Sequence, residues 1–232
     1  MGIISPVGLI HREHLPMVLY KYWNGGHLDQ WLQILKKDPS KPMAKDFLST
    51  PGTTAIFLDN IFHIINGLLQ TIEFMHYHEF MHNDLHGRNI LLHFGQRGVY
   101  VGIADWGRAA FHPTTTHFPE LPDKEAETKL GWKRTFKHVA PECFSENPPP
   151  YSPAQEVYSL SHQIKRLLDS LPPSSQPLLT RFVRSMYKKV EAGLEKDPDQ
   201  RPDAFTLSCC IQGISNFGVP IVKSSGLRPI DD

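Results

Sequence analysis

The sequence predicts a mainly α domain of the α+β class, in which a few short strands accompany a helical body. Apolar residues over 55–78 recur at a helical period and form a broad stripe, which is typical of a buried core helix. The other helical patterns are also long, whereas the β-rich runs are short. The predicted helices cover 27–37, 55–78, 153–171, 176–196 and 203–214, and the predicted strands cover 7–10, 17–22, 90–92 and 99–103.

Local signals place the ends of these elements. Asn24 and two glycines follow the second strand and end it, and the next helix carries its apolar residues at positions i, i+3, i+4 and i+7. Residues 38–54 contain three prolines and a glycine, which indicates a loop. The runs at 90–92 and 99–103 flank a glycine-bounded turn and predict a hairpin. Residues 108–135 show no periodicity and are predicted to form a long loop.

Composition excludes several classes of function. The chain has 232 residues, with 24 basic and 24 acidic side chains and no net formal charge. This balance argues against a nucleic-acid partner and against an electrostatic membrane partner, and no apolar run reaches the ~18 residues that a spanning helix needs. The N-terminus does not resemble a signal peptide. The 3 cysteines are too few for a disulfide framework. We therefore expect reduced thiols and a cytoplasmic or nuclear protein.

The residues that suggest chemistry lie around the predicted hairpin. Asp84 and Asn89 stand five residues apart before it, and Asp105 follows it sixteen residues after Asn89. Phosphoryl transfer from a nucleotide needs a carboxylate that orients the attacking hydroxyl and hard oxygen ligands for Mg²⁺. Asp84 suits the first task, and Asn89 with Asp105 suits the second. This ordered spacing predicts a phosphotransferase site.

These residues lie in motifs that resemble those of the eukaryotic protein-kinase family. Residues 82–89 resemble the family's catalytic loop, and Asp105-Trp106-Gly107 resembles its metal-binding triplet. Ala140-Pro141-Glu142, the helix that begins near Glu156 and the segment 197–202 follow in the family's order. The resemblance covers about 5–214. It implies a protein-kinase-like C-terminal lobe that retains a short remnant of the N-terminal sheet.

The resemblance also implies a role for each matching residue. It predicts that ATP and Mg²⁺ are the cofactors and that the partner is a protein, either as substrate or as binding partner. It implies an ion pair between Glu142 and Arg201. The implied catalytic residues are Asp84, Arg88 and His86; the metal ligands are Asn89 and Asp105; the nucleotide contacts are Tyr20, Tyr22, Trp23 and Leu91; the structural residues are His82, Glu142, Glu156 and Arg201; and Thr135 lies in the substrate loop.

The same resemblance predicts the domain organisation. Residues 1–215 form a truncated kinase domain, with a strand remnant over 1–22, a hinge over 23–26 and a C-terminal lobe over 27–215, and 216–232 form a tail. The 232 residues contain no Gly-x-Gly-x-x-Gly, and the first lysine is Lys21, which lies at the end of the strand remnant just before the predicted hinge. We therefore expect the isolated chain to be weak or inactive as an enzyme. The alternative is a non-catalytic, pseudokinase-like binding module or scaffold.

Two further alternatives concern the acceptor. Arg88 stands where tyrosine kinases place a cation, whereas Thr135 matches the residue that Ser/Thr kinases use, so we favour Ser/Thr acceptors over Tyr. The loop with His82, Asp84 and Asn89 also resembles that of small-molecule phosphotransferases of the aminoglycoside type. The segment 140–142 and the segment 197–202 favour the protein-kinase family instead.

Overall fold

The computed structural model describes residues 4, 6–12, 15–37, 53–95, 98–112, 136–171 and 177–215. The helices within these ranges are α1 (Leu28–Lys37), α2 (Thr53–Tyr77), α3 (Pro153–Asp169), α4 (Pro177–Ala192) and α5 (Ala204–Ser215). The strands are β1 (Pro6–Arg12), β2 (Leu15–Tyr20), β3 (Phe80–Met81), β4 (Ile90–Gly95), β5 (Gly98–Ile103) and β6 (Ala110–Phe111). The predicted mainly α fold is confirmed.

The strands form three antiparallel pairs. Strand β1 pairs with β2, β4 pairs with β5 in a hairpin, and β3 pairs with β6. Close to the first pair, Ile4 donates its backbone N–H to the Ile103 carbonyl at 3.2 Å, and its side chain is buried. Ile4 is thereby fixed to the last residue of β5.

Helix α2 is the centre of the hydrophobic core. It packs against β5, α3 and α5, and the apolar stripe predicted from the sequence faces these elements. Gly67 makes the approach to β5 close, because a Cβ at this position would lie 2.9 Å from a methyl carbon of Val101. The fully buried side chains of the stripe are Ile61, Ile64, Ile65, Leu68, Leu69, Ile72 and Met75. Burial of several large aliphatic side chains, each at about 1.5–3 kcal/mol, makes α2 the main stabilising element.

Helix α3 lies between α2 and α4. Proline at its first position is compatible with a helix start, because the missing N–H has no partner in the first turn. The Ser152 N–H donates to Oε1 of Gln155 at 3.4 Å, as in a capping box. The helix ends at Asp169, where the Ser170 hydroxyl donates to the Leu167 carbonyl at 2.6 Å. The proline and the capping box at its N-terminus fix the first turn of α3, which carries Glu156.

One sequence prediction is wrong in part. The predicted loop 108–135 contains strand β6, whose Phe111 pairs with Phe80 of β3. A strand of two residues is too short to show alternating polarity, so the sequence carried no signal for it. The remainder of that loop, including Thr135, lies outside the described residues. In the described part of the chain, no helix is both long enough and apolar enough to cross a membrane.

Candidate active site

The candidate site is built around residues 82–89, which we call the Asp84 loop and which connects β3 to β4. The loop begins with Asn83 in the left-handed region, at φ 62°. Asparagine tolerates this conformation better than most residues. The Asn83 side chain then donates through Nδ2 to the Arg108 carbonyl at 3.1 Å. Asn83 thereby connects the start of the Asp84 loop to the segment at Arg108.

The buried carboxylate of Glu156 anchors this turn from below. Its Oε1 accepts the backbone N–H groups of His82 at 2.8 Å and Asn83 at 3.0 Å. Its Oε2 lies 2.8 Å from Nε2 of His76, and the Glu156 side chain is only 2% exposed. Two N–H groups with no partner in a strand or helix are thereby satisfied, which a buried turn requires. The sequence predicted a structural role for Glu156 but gave no indication of His76, whose spacing from it is long.

His82 connects the Asp84 loop to the end of β5. Its Nδ1 accepts the Asp84 N–H at 3.2 Å, so the ring proton is on Nε2, which lies 2.9 Å from the Ala104 carbonyl. The ring is fully buried and meets Trp106 edge to face at 4.9 Å between centroids. One imidazole therefore sets the spacing between Asp84 and the segment that carries Asp105.

Asn89 forms a second link between the same two segments. Its Nδ2 donates to the Asp84 carbonyl at 2.9 Å and lies 3.4 Å from Asp84 Oδ2. The backbone carbonyl of Asn89 accepts the backbone N–H of Ala104 at 2.8 Å. Because the amide nitrogen is bonded within the loop, the amide oxygen Oδ1 is the atom that Asn89 offers to a cation.

Asp105 lies on the exposed side of this arrangement. It adopts φ 63° and accepts the Gly107 N–H through Oδ1 at 3.4 Å, so the turn holds its carboxylate at the surface. The hard oxygen donors of Asn89 and Asp105 suit Mg²⁺, which usually takes one or two protein oxygens and keeps other positions for water and phosphate. Among the described residues, no group of three or more His, Cys, Asp and Glu side chains forms a candidate metal site of another kind.

The Asp84 carboxylate lies between two basic side chains. His86 Nε2 is 3.8 Å from Oδ2, and Arg108 Nη1 is 4.0 Å from Oδ1. Burial lowers the pKa of His86, although Asp84 opposes this effect. The imidazole ring of His86 is therefore uncharged at pH 7. Arg88, the other predicted phosphate contact, is exposed on the same loop.

Gly87 brings the Asp84 loop against helices α1 and α3. Its carbonyl accepts the Asp29 N–H at 3.3 Å, and Asp29 forms an ion pair with Arg166 at 2.6 Å. A Cβ on Gly87 would lie 2.0 Å from Asp29 Oδ1 and 2.9 Å from Arg166 Nη1. The position has room only for glycine. The sequence analysis missed this contact, because neither charged residue belongs to a motif.

The predicted nucleotide contacts lie beside the hairpin. Gly25 donates to the Leu92 carbonyl at 2.9 Å and Gly26 accepts from the Leu92 N–H at 2.9 Å, which places Leu91 beside the predicted hinge. Leu91 is half-buried, and Trp23 packs its ring over Gly102. The side chains of Tyr20 and Tyr22 are exposed, at 52% and 82%.

The ion pair implied by the resemblance is present. Arg201 donates to both carboxylate oxygens of Glu142, at 2.6 and 2.8 Å, and its side chain is 0% exposed. Its remaining donors reach the carbonyls of Ala154, Glu195 and Lys196. The pair ties the segment after the predicted substrate loop to the segment before α5. It is a structural element and not part of the reacting surface.

Comparison with known families now assigns the chain to one of them. Residues 2–209 match the family described as protein kinase domain. Since this match covers most of the 232 residues, the chain belongs to that family. The family uses ATP and a divalent metal ion in general, and its members act on proteins.

Curated relatives agree with this assignment. The chain is 27% identical over 149 residues to mitogen-activated protein kinase kinase kinase 15 of Mus musculus, covering 61% of this chain and 10% of that protein. It is 27% identical over 144 residues to calcium/calmodulin-dependent protein kinase type II of Caenorhabditis elegans, covering 62% and 18%. It is 28% identical over 169 residues to serine/threonine-protein kinase dst2 of Dictyostelium discoideum, covering 63% and 13%. The matched part is therefore under a fifth of each relative.

Proposed function

We propose that this chain transfers the terminal phosphoryl group of ATP to serine or threonine hydroxyls of proteins, with Mg²⁺ as the metal ion, and that the isolated chain does so only weakly because its 232 residues contain no glycine-rich phosphate loop. The observation that carries the proposal is the double link made by His82 and Asn89, which holds Asp84 and Asp105 on adjoining segments. In this proposal Asp84 orients the acceptor hydroxyl and receives its proton. When bound, Mg²⁺ neutralises charge on the phosphates, and Asn89 and Asp105 would hold it.

Serine and threonine acceptors are supported by the relatives dst2 and dst1 of Dictyostelium discoideum, which are both named serine/threonine-protein kinases. Arg88 and His86 would supply hydrogen-bond donors to the transferred phosphoryl group, and only Arg88 is charged at pH 7, given the lowered pKa of His86. Adenine would rest on Leu91 beside the backbone of Tyr22 and Trp23. The second candidate, a non-catalytic binding module, differs from the first only in turnover, so one experiment separates them.

The test measures nucleotide binding and transfer separately. ATP with Mg²⁺ should raise the melting temperature of the purified chain, with about 2.7 kcal/mol of stabilisation at a hundredfold excess over Kd. Asp105→Ala should abolish this increase, whereas Asp199→Ala, which changes an exposed aspartate away from the site, should retain it. Asp84→Asn should retain binding and lose transfer of labelled phosphate to a serine peptide.

Two results would contradict the proposal. If Asp84→Asn transfers phosphate at the wild-type rate, Asp84 is not the orienting carboxylate. If the wild-type chain binds Mg²⁺ and ATP but transfers no phosphate to peptides of any composition, the binding-module function replaces the proposed one.

A further inference from the structure

Three basic side chains lie at the surface near the Asp84 loop, although the chain as a whole has no net formal charge. Arg88 lies on the Asp84 loop, Arg166 lies on α3 against Gly87, and Lys137 precedes His138. The rings of His138 and His86 are 5.3 Å apart between centroids, so residues 137–138 adjoin the loop. We call Arg88, Lys137 and Arg166 the basic rim.

Of the carboxylates near the basic rim, Asp29 and Asp169 form ion pairs, and Asp84 lies 4.0 Å from Nη1 of Arg108. Asp29 pairs with Arg166 at 2.6 Å, and Asp169 pairs with Lys165 at 3.4 Å. By contrast, Arg88 and Lys137 are both exposed, and no carboxylate among the described residues lies within 4.0 Å of either. Two cations of the basic rim are therefore available to an anionic ligand.

The neighbouring histidines do not add to this charge at neutral pH. Burial lowers the pKa of His138 to about 4, and it lowers that of His162 on α3 to about 4 as well. The positive charge of the rim thus comes from arginine and lysine alone and persists across the physiological pH range. The histidines beside the basic rim are therefore uncharged at neutral pH.

From this arrangement we infer that the site selects acidic peptides, in which glutamate or aspartate residues flank the acceptor hydroxyl and contact Arg88 and Lys137. The inference rests on the proposed function, since it names the substrate class of the same site. Arginine and lysine attract carboxylates at the surface and repel basic peptides, so the rim contributes selectivity more than affinity. The backbone contacts at Ser159 and Gly87 hold the rim in place, because Ser159 Oγ donates to the His138 carbonyl at 2.7 Å and Gly87 bonds to Asp29.

Peptide binding without nucleotide tests the inference, because any role of Arg88 at the phosphate then does not enter. Three labelled peptides share one central serine and differ only in flanking glutamate, glutamine or lysine. The glutamate peptide should bind the full 232-residue chain most tightly, and its affinity should fall with added salt. Lys137→Glu and Arg88→Glu should each weaken it about fivefold, which corresponds to about 1 kcal/mol.

Lys189→Glu is the matched control, because it makes the same charge change at an exposed position on α4. Lys137→Gln should weaken binding of the glutamate peptide by an intermediate amount. Because it only removes the charge, it tests the same contact if the charge-reversal variant does not fold. Equal binding of the three peptides, tighter binding of the lysine peptide, or binding of none of them would overturn the inference. Preferential phosphorylation of the lysine peptide would overturn it and leave the proposed function intact. Tight glutamate-peptide binding without transfer would support the rim and overturn the proposed function.

Discussion

Removing Arg201 should destabilise the fold by about 4 kcal/mol. Arg201→Met keeps the aliphatic length but loses the paired bonds to Glu142, at about 1.5–3 kcal/mol for a charged pair. It also loses three bonds to backbone carbonyls, at about 1 kcal/mol each. Burial of the methionine side chain offsets about 1–2 kcal/mol. The net loss of about 4 kcal/mol lies within the range of about 3–5 kcal/mol that is typical when one partner of a buried ion pair is removed.

Urea unfolding followed by circular dichroism measures this loss. The midpoint should fall while the slope with urea stays unchanged, which indicates a change in stability and not in the extent of unfolding. The melting temperature should fall by about 8–16 °C, since a domain of this size shifts by about 2–4 °C per kcal/mol. Arg181→Met, at an exposed position on α4, is the control for the loss of an arginine.

A double-mutant cycle with Glu142→Gln separates the pair from the carbonyl bonds. We expect a coupling energy of about 2 kcal/mol between the two positions. If Arg201→Met costs less than about 1 kcal/mol, in the range of surface substitutions, the argument from burial and hydrogen bonding is refuted.

Three other changes test the scaffold beneath the site. Glu156→Gln should cost about 2–4 kcal/mol in urea unfolding, because a neutral amide accepts the two loop N–H groups less strongly and one buried charge is lost. Gly87→Ala should abolish phosphate transfer while leaving a folded protein, since the new Cβ collides with Asp29. Burial holds the pKa values of His138 and His162 at about 4 against 6.5 unfolded, so the unfolded chain binds more protons between these values and stability should fall as pH falls from 6.5 to 4. Their double replacement by glutamine should flatten that decline, by about 1–2 kcal/mol per partly exposed ring.

Each of these changes has a control variant with the same substitution elsewhere in the chain. Gly213→Ala is the control for the glycine change, because a Cβ there meets nothing within 4 Å. Glu146→Gln and His78→Gln repeat the other substitutions at exposed positions. A wild-type transfer rate in Gly87→Ala, or equal stability of Glu156→Gln and Glu146→Gln, would contradict the proposed geometry. If stability falls with pH in the His138/His162 double variant as it does in the wild type, the argument from burial of the two histidines is contradicted.

The fold was largely predictable because its main elements are periodic and long. The stripe of α2 gave its helix to within a few residues, and the paired runs around 95–98 gave the β4–β5 hairpin. Strand β6 could not be predicted, since two residues carry no period. Its pairing is set by the tertiary contact of Phe111 with Phe80, which is not a local property.

The site was predictable where it consists of spaced motifs and unpredictable where it depends on single distant contacts. Asp84, Asn89 and Asp105 followed from residue type and spacing, and their roles remain predictions. The link between His76 and Glu156 joins residues 80 apart in sequence, and no pattern identifies such a pair. The pair of Asp29 and Arg166 was invisible for the same reason.

The anchoring of the Asp84 loop on Glu156 has a kinetic consequence. The backbone N–H groups of His82 and Asn83 donate to a carboxylate on α3, so they reach solvent only when the Asp84 loop and α3 separate. Their exchange with deuterium is then governed by the most cooperative unit of the protein, as for α2, and not by the fast fraying usual for a surface loop. We therefore expect the turn before Asp84 to open to exchange as slowly as the core.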